Sequence, residues 1–226
     1  MKKYALSAPA LMLAFQVAAQ SWTGSMVMHI DNPMRNQAVN ISLYIFPEKN
    51  CMKIQTDPKA ASVRIITDKK KNTMTFLAEK EGSRKVGLIH EIKEQPDIAP
   101  PEEQGVRLQV TDDSKEIRNF HCRKIIAQSP DQVTEMWVTD DTLLNYPDIL
   151  KIIHNPMAPA SGYAHRMKHI KDLNSFPIEM KITPVNKPED VTTISFSQIV
   201  RGKPDERVLD TEGFEMFDMR KGADHH

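Results

Sequence analysis

From Trp22 to Val138 the apolar residues of this chain recur mostly at every second position, in short runs broken by polar turn clusters. That period is the side-chain alternation of a β-strand, so it predicts antiparallel strands with one face on a core. Trp22, Met26, Met28 and Ile30 share a parity until Asn32-Pro33 ends the run. Ile41, Leu43 and Ile45 then oppose Tyr44 and Phe46, and Pro47 to Asn50 turns the chain. Met52-Lys53-Ile54 and Val63 to Ile66 are shorter runs. Met74, Phe76 and Ala78 follow a charged turn at Asp68 to Asn72, and Glu81-Gly82-Ser83 leads to Val86, Leu88, His90 and Ile92. Three consecutive hairpin-linked strands are expected there.

Lys93 to Gln104 carries three prolines and four carboxylates with almost nothing apolar, and reads as a solvated loop. Val106, Leu108 and Val110 alternate, Asp112-Asp113-Ser114-Lys115 is expected to turn, and Ile117 to Ile126 and Val133 to Thr139 form a hairpin across Ser129-Pro130-Asp131. After Asp141 the period changes. Asn145 is placed as an N-cap before Pro147, with Ile149, Leu150 and Ile153 at helical spacing; Met167, Ile170 and Leu173 suit a second short helix. Ile178, Met180 and Ile182 resume the alternation, as do Ile194, Phe196 and Val200 on a run ended by Arg201-Gly202. The tail with Phe214, Met216, Phe217 and Met219 reads as a terminal helix or an irregular flap. The sum is an α+β protein of about eleven strands, an antiparallel sheet curling around a few short helices packed on one side.

Residues 1–20 read as an export signal. Lys2 and Lys3 precede a short apolar stretch from Leu6 to Val17, and Val17-Ala18-Ala19 is a small-residue cleavage pattern. The segment is too short to span a bilayer, which leaves residues 21–226 as a single domain, periplasmic or secreted. Without Lys2 and Lys3 the basic residues number 28 against 30 acidic. That balance excludes the basic excess that nucleic-acid binding needs, and charges scattered through every apolar segment oppose an outer-membrane barrel. Cys51 and Cys122 are the two cysteines, and neither directly follows the signal. Export permits a disulfide between them; two buried thiols that never meet are the alternative.

Chemical signatures are sparse. His165 and His169 would share a helix face, but Arg166 and Lys168 between them oppose a bound dication, and an exposed basic face is the preferred reading. His225-His226 read as a loose tail. Asp112-Asp113 and Asp140-Asp141 are explained by turn chemistry. No Gly-x-Ser-x-Gly elbow or phosphate-cradling glycine loop is present. No catalytic residue, metal ligand or cofactor is therefore assigned. Thirteen methionines are many, and eleven remain after Met1 and Met12 are removed. Met26, Met28, Met74, Met136 and Met180 fall on strands, where they either line a deformable cavity or fill a plain core. Trp137, on the opposite parity from Met136, either packs under a helix or offers a ligand an aromatic platform.

The opening Trp22-Thr23-Gly24-Ser25-Met26, the Ile66-Thr67-Asp68 turn entry, Phe120-His121-Cys122-Arg123-Lys124, Met136-Trp137-Val138-Thr139-Asp140 and Phe176-Pro177-Ile178-Glu179-Met180 resemble an uncharacterised family of exported bacterial proteins, domain of unknown function 4412. That family is itself similar to the lipoprotein-localisation factors (LolA/LolB-like). The resemblance implies a half-barrel, a strongly curved open sheet with helices over its mouth and a hydrophobic cavity between them. The expected function is a non-enzymatic one: binding a lipid, a lipoprotein acyl chain or another apolar molecule, with Met74, Phe76, Met136, Trp137, Met180 and Phe196 at the cavity. A cell-envelope protein-interaction or scaffold role, through Lys93 to Gln104 or Met157 to Tyr163, is the alternative. A metal-binding or hydrolytic enzyme is the third and least supported.

Overall fold

The computed structural model describes residues 22–35, 37–55, 62–80, 82–92, 107–141 and 175–222. The signal segment, the loop at 93–104, both expected helices, the 157–163 region, His165, His169 and the His225-His226 tail lie outside the described residues.

Among the described residues twelve strands are formed: β1 (Gly24–Asn32), β2 (Gln37–Ile45), β3 (Lys49–Gln55), β4 (Ser62–Asp68), β5 (Thr73–Glu79), β6 (Val86–Glu91), β7 (Arg107–Ile117), β8 (Phe120–Gln128), β9 (Gln132–Thr139), β10 (Phe176–Pro184), β11 (Thr192–Arg201) and β12 (Glu215–Asp218). They make one open sheet in the order β12-β6-β5-β4-β3-β2-β1-β11-β10-β9-β8-β7. β1 to β6 step outward as one meander and β7 to β11 step back inward as another, so the sheet is stitched at its middle by β1 and β11. All neighbours are antiparallel except β12, which lies parallel to β6.

Three expectations are corrected. Among the described residues helical structure is limited to 3-10 turns at Pro33–Arg35, Glu206–Leu209 and Met219–Gly222, so the few short helices expected over the sheet are not borne out there. Asp112 to Lys115 does not turn the chain: β7 runs through it with a register shift between Val110 and Ser114, and the bulge absorbs the polar residues at an exposed edge. The reversal falls instead at Arg118-Asn119, whose φ angles of 50° and 69° are those of a tight two-residue hairpin turn. The tail forms no α-helix or irregular flap over its described residues: Glu215–Asp218 adds the twelfth strand and the 3-10 turn at Met219–Gly222 follows it.

The main core lies on one face, called inner here. Rows of directly paired residues cross it, such as Ile30, Ile194, Met180, Met136 and Ile125, each nearly or fully buried. Burying a side chain of this size stabilises by about 1.5–3 kcal/mol, which makes these rows the main force holding the two meanders together. A second cluster sits on the outer face, where Cys51, Ile66 and Leu77 pack under Val208, Leu209, Phe214 and Met216 of the C-terminal segment. Gly87 permits that approach, because a Cβ there would stand 2.3 Å from the Met216 sulfur. Among the described residues no helix is long and apolar enough to cross a membrane.

Candidate ligand-binding face

One inner row runs Met26, Leu43, Met52, Ile65, Phe76, Leu88, Phe217. Directly paired residues point to the same face, so these seven side chains form a continuous apolar stripe. Its first four members are buried, Phe76 and Leu88 are half-buried, and Phe217 is 41% exposed. The stripe therefore emerges from the core toward the β12 edge. Met74 and His90, directly paired, flank it, and the Phe76 and His90 rings meet edge to face at 5.6 Å.

The six expected cavity residues belong to one apolar cluster, three of them within it and three packed against it, but they differ in how far they are covered. Met74 and Phe76 lie on this emerging stretch. Met136 and Met180 pair with each other and are buried, as is Phe196, whose ring packs against Phe176 at 4.9 Å; all three are core. Trp137 stands on the opposite parity, half-buried, with Lys115 Nζ 4.3 Å from its ring centroid and the same ammonium donating to Glu179 at 3.1 Å. That cation occupies one face of the ring.

Cys51 and Cys122 are free thiols. They belong to different clusters and their strands are six steps apart in the sheet order, whereas a bridge needs Cα atoms within about 7 Å. The disulfide is thus corrected to two buried thiols. Burial pushes the Cys51 thiol up to about 12 and the Cys122 thiol to about 11, which leaves both protonated and unreactive at neutral pH.

The polar features lie elsewhere. A cleft of about 530 Å³ between the β7–β8 turn and the end of β9 holds Arg123 and Asp140. Arg123 donates to Asp140 and Ser175 at 3.0 and 3.1 Å, and Ser175 donates to Asp140 at 2.6 Å. These bonds, Ser175 first, hold the Asp140 carboxyl below its ordinary range. On the outer face His29 bridges Asn40 and Ser197, both at 2.6 Å. A groove of about 630 Å³ separates the β2–β3 turn from Glu206, Leu209 and Asp210. None of the six expected residues lines either cleft. Leu88 and Phe217 extend this exposed stretch beyond the residues the sequence singled out; alternation at Val86–His90 signals Leu88, while Phe217 depends on the pairing of β12.

No curated protein matches the chain. Among solved structures it is similar to the protein PNGF-II, with 10% and 11% identity and TM-scores of 0.41 and 0.40 in two crystal forms. The alignments cover 88% of this chain but 32% and 31% of the other, so the chain spans about a third of that protein's length. It is also similar to the LolA superfamily protein NE2245 from Nitrosomonas europaea, with 9% identity, a TM-score of 0.31, and 85% and 90% of the two chains covered. Over residues 22–210 the sequence matches the model of the domain of unknown function DUF4412, and the chain belongs to that family.

Proposed function

We propose that this is an exported, non-enzymatic binding protein that holds an apolar molecule, such as an acyl chain, against the inner face of its open sheet. The observation that carries the reading is the stripe from Ile65 through Phe76 and Leu88 to Phe217, which passes from buried to half-exposed without a polar interruption. An apolar stripe continuous with a core gives a ligand a surface that is already dry at one end. Curvature of the sheet into a half-barrel belongs to the same proposal. It is supported by Arg118, whose guanidinium reaches the Phe196 carbonyl from a turn three strand steps away. On a flat sheet those strands would stand about 14 Å apart.

The working compartment is the periplasm or the outside of the cell, on the strength of the signal-like segment at 1–20. The test is native mass spectrometry of the protein isolated from its own envelope fraction. A bound mass extractable with organic solvent, reduced in Leu88→Asp, supports the reading; a bare polypeptide mass opposes it.

A second reading, an envelope interaction protein, is favoured by β7. This edge strand leaves Leu108 and Val110 40% and 53% exposed, and a sheet edge is a surface for pairing with another chain. Pull-down with Val110→Lys against wild type separates the two readings.

A further inference from the structure

A cavity of about 240 Å³ lies on the outer face, between strands β3 to β6 and the C-terminal segment packed on them. That is the share of about eight waters in the liquid, room for a small molecule. Its floor is two neighbouring rows of directly paired residues. Lys49, Asp68 and Thr73 form one; Ile66, Thr75 and Ile89 form the other. Two residues of strand, about 7 Å, separate the charged row from the more apolar one. The C-terminal segment adds Leu209 and Arg220 to the lining, and Lys71 comes in from the turn between β4 and β5. Thr73 lines the cavity and is 7% exposed, yet its hydroxyl makes no hydrogen bond among the described residues. Charge narrows the occupant. Arg220 is tied to Asp218 by Nε at 2.8 Å and Nη2 at 2.6 Å, and Glu91 acts on the same guanidinium. Asp68 accepts the Lys71 backbone N–H at 2.9 Å, and the Lys49 ammonium stands 3.8 Å from its other oxygen, beyond hydrogen-bond length. The Lys71 ammonium has no ion-pair partner among the described residues. Two ammoniums therefore face one carboxylate on the lining, a surplus of one positive charge.

We infer that this cavity takes a small aliphatic carboxylate. Its head accepts from the Thr73 hydroxyl and the Lys49 and Lys71 ammoniums, and its body lies over Ile66 and Ile89 against Leu209. One surplus charge matches a monoanion, whereas a phosphate monoester would bring nearly two negative charges. The site is on the opposite face from the apolar stripe, so the inference stands or falls independently of the acyl-chain reading. Because the lining comes partly from the sheet and partly from residues 209–220, an occupant ties the C-terminal segment down.

The test is calorimetric titration of the purified protein with 4-methylpentanoate and with 4-methylpentanamide, which has the same shape and no charge. The carboxylate is expected to bind about tenfold more tightly, the effect of one charge-assisted hydrogen bond. Lys71→Gln, on an exposed turn where the fold does not depend on the side chain, is expected to remove most of that preference. Hydrogen exchange at 209–220 is expected to slow in saturating 4-methylpentanoate. Equal affinities for the two probes, or binding of neither, overturn the inference and leave the acyl-chain reading standing. A preference that survives undiminished in Lys71→Gln overturns it as well. So does carboxylate binding that leaves exchange at 209–220 unchanged, because the probe then sits elsewhere on the protein.

Discussion

Arg118 Nη1 donates to the backbone carbonyl of Phe196 at 2.6 Å, joining the β7–β8 turn to β11 across two intervening strands. The carbonyl is available because β10 and β11 pair only from Glu179–Ser195 to Ile182–Thr192; beyond that point β10 stays with β9 and β11 with β1. The guanidinium thus bridges a split in the sheet. Arg118→Ala is expected to destabilise by about 1–2 kcal/mol, the scale of a hydrogen bond from a charged donor. Arg118→Gly removes the same bond but relieves the φ of 50°, so urea unfolding should find it about 1 kcal/mol more stable than the alanine variant.

The Met216 sulfur occupies the space a side chain at position 87 would take. Gly87→Val is expected to lift the C-terminal segment, which is otherwise held by the parallel β6–β12 pairing, the Arg84–Glu215 ion pair and Phe214 beneath Arg64 and Lys85. Hydrogen exchange at 215–218 should rise steeply while exchange in β1 and β11 stays slow. Shortening the neighbour with Met216→Ala should partly restore protection in Gly87→Ala.

Both thiols titrate above their ordinary value because burial disfavours the thiolate. The folded state therefore holds its protons more tightly than the unfolded chain. This contribution to stability is complete below the unfolded value near 9 and is lost as pH rises toward 11 and 12. Iodoacetamide at pH 8 should leave the native protein unmodified and add two groups in denaturant. Rapid alkylation of the native protein would contradict the burial of either cysteine.

The sign is opposite at Asp140. Its carboxyl is held low by Ser175 and Arg123, so its contribution is present above the ordinary carboxylate range and disappears as pH falls through the lowered folded value. Asp140→Asn should lower stability at pH 7 and flatten its acid dependence, read as unfolding midpoints between pH 7 and pH 2.

The strands were legible wherever alternation was uninterrupted: Met26–Ile30, Ile41–Ile45 and the Met74–His90 ladder stand where the period placed them. Two misreadings share a cause. Asp112-Asp113 looks like a turn because aspartates favour turns, yet on an exposed edge they tolerate a bulge. Arg118-Asn119 does not look like one because it lacks the glycine that usually supplies positive φ. The tail's strand was hidden because four residues carry too little period to be seen, and its pairing with β6 depends on a gap at Gly87 more than a hundred residues earlier. At the site, alternation chose the inner face but not which part of it stays open. Met136, Met180 and Phe196 carry the same pattern as Phe76 and differ only in what covers them.

On the proposed reading an apolar ligand lies along Phe76, Leu88 and Phe217. Photo-crosslinking with a diazirine-bearing fatty acid, followed by peptide mapping, tests it most directly. The account predicts adducts confined to the peptides carrying residues 74–90 and 214–219, competed away by unlabelled fatty acid. Adducts only on the β7 edge around Leu108 and Val110, or labelling that excess unlabelled fatty acid does not reduce, would contradict it.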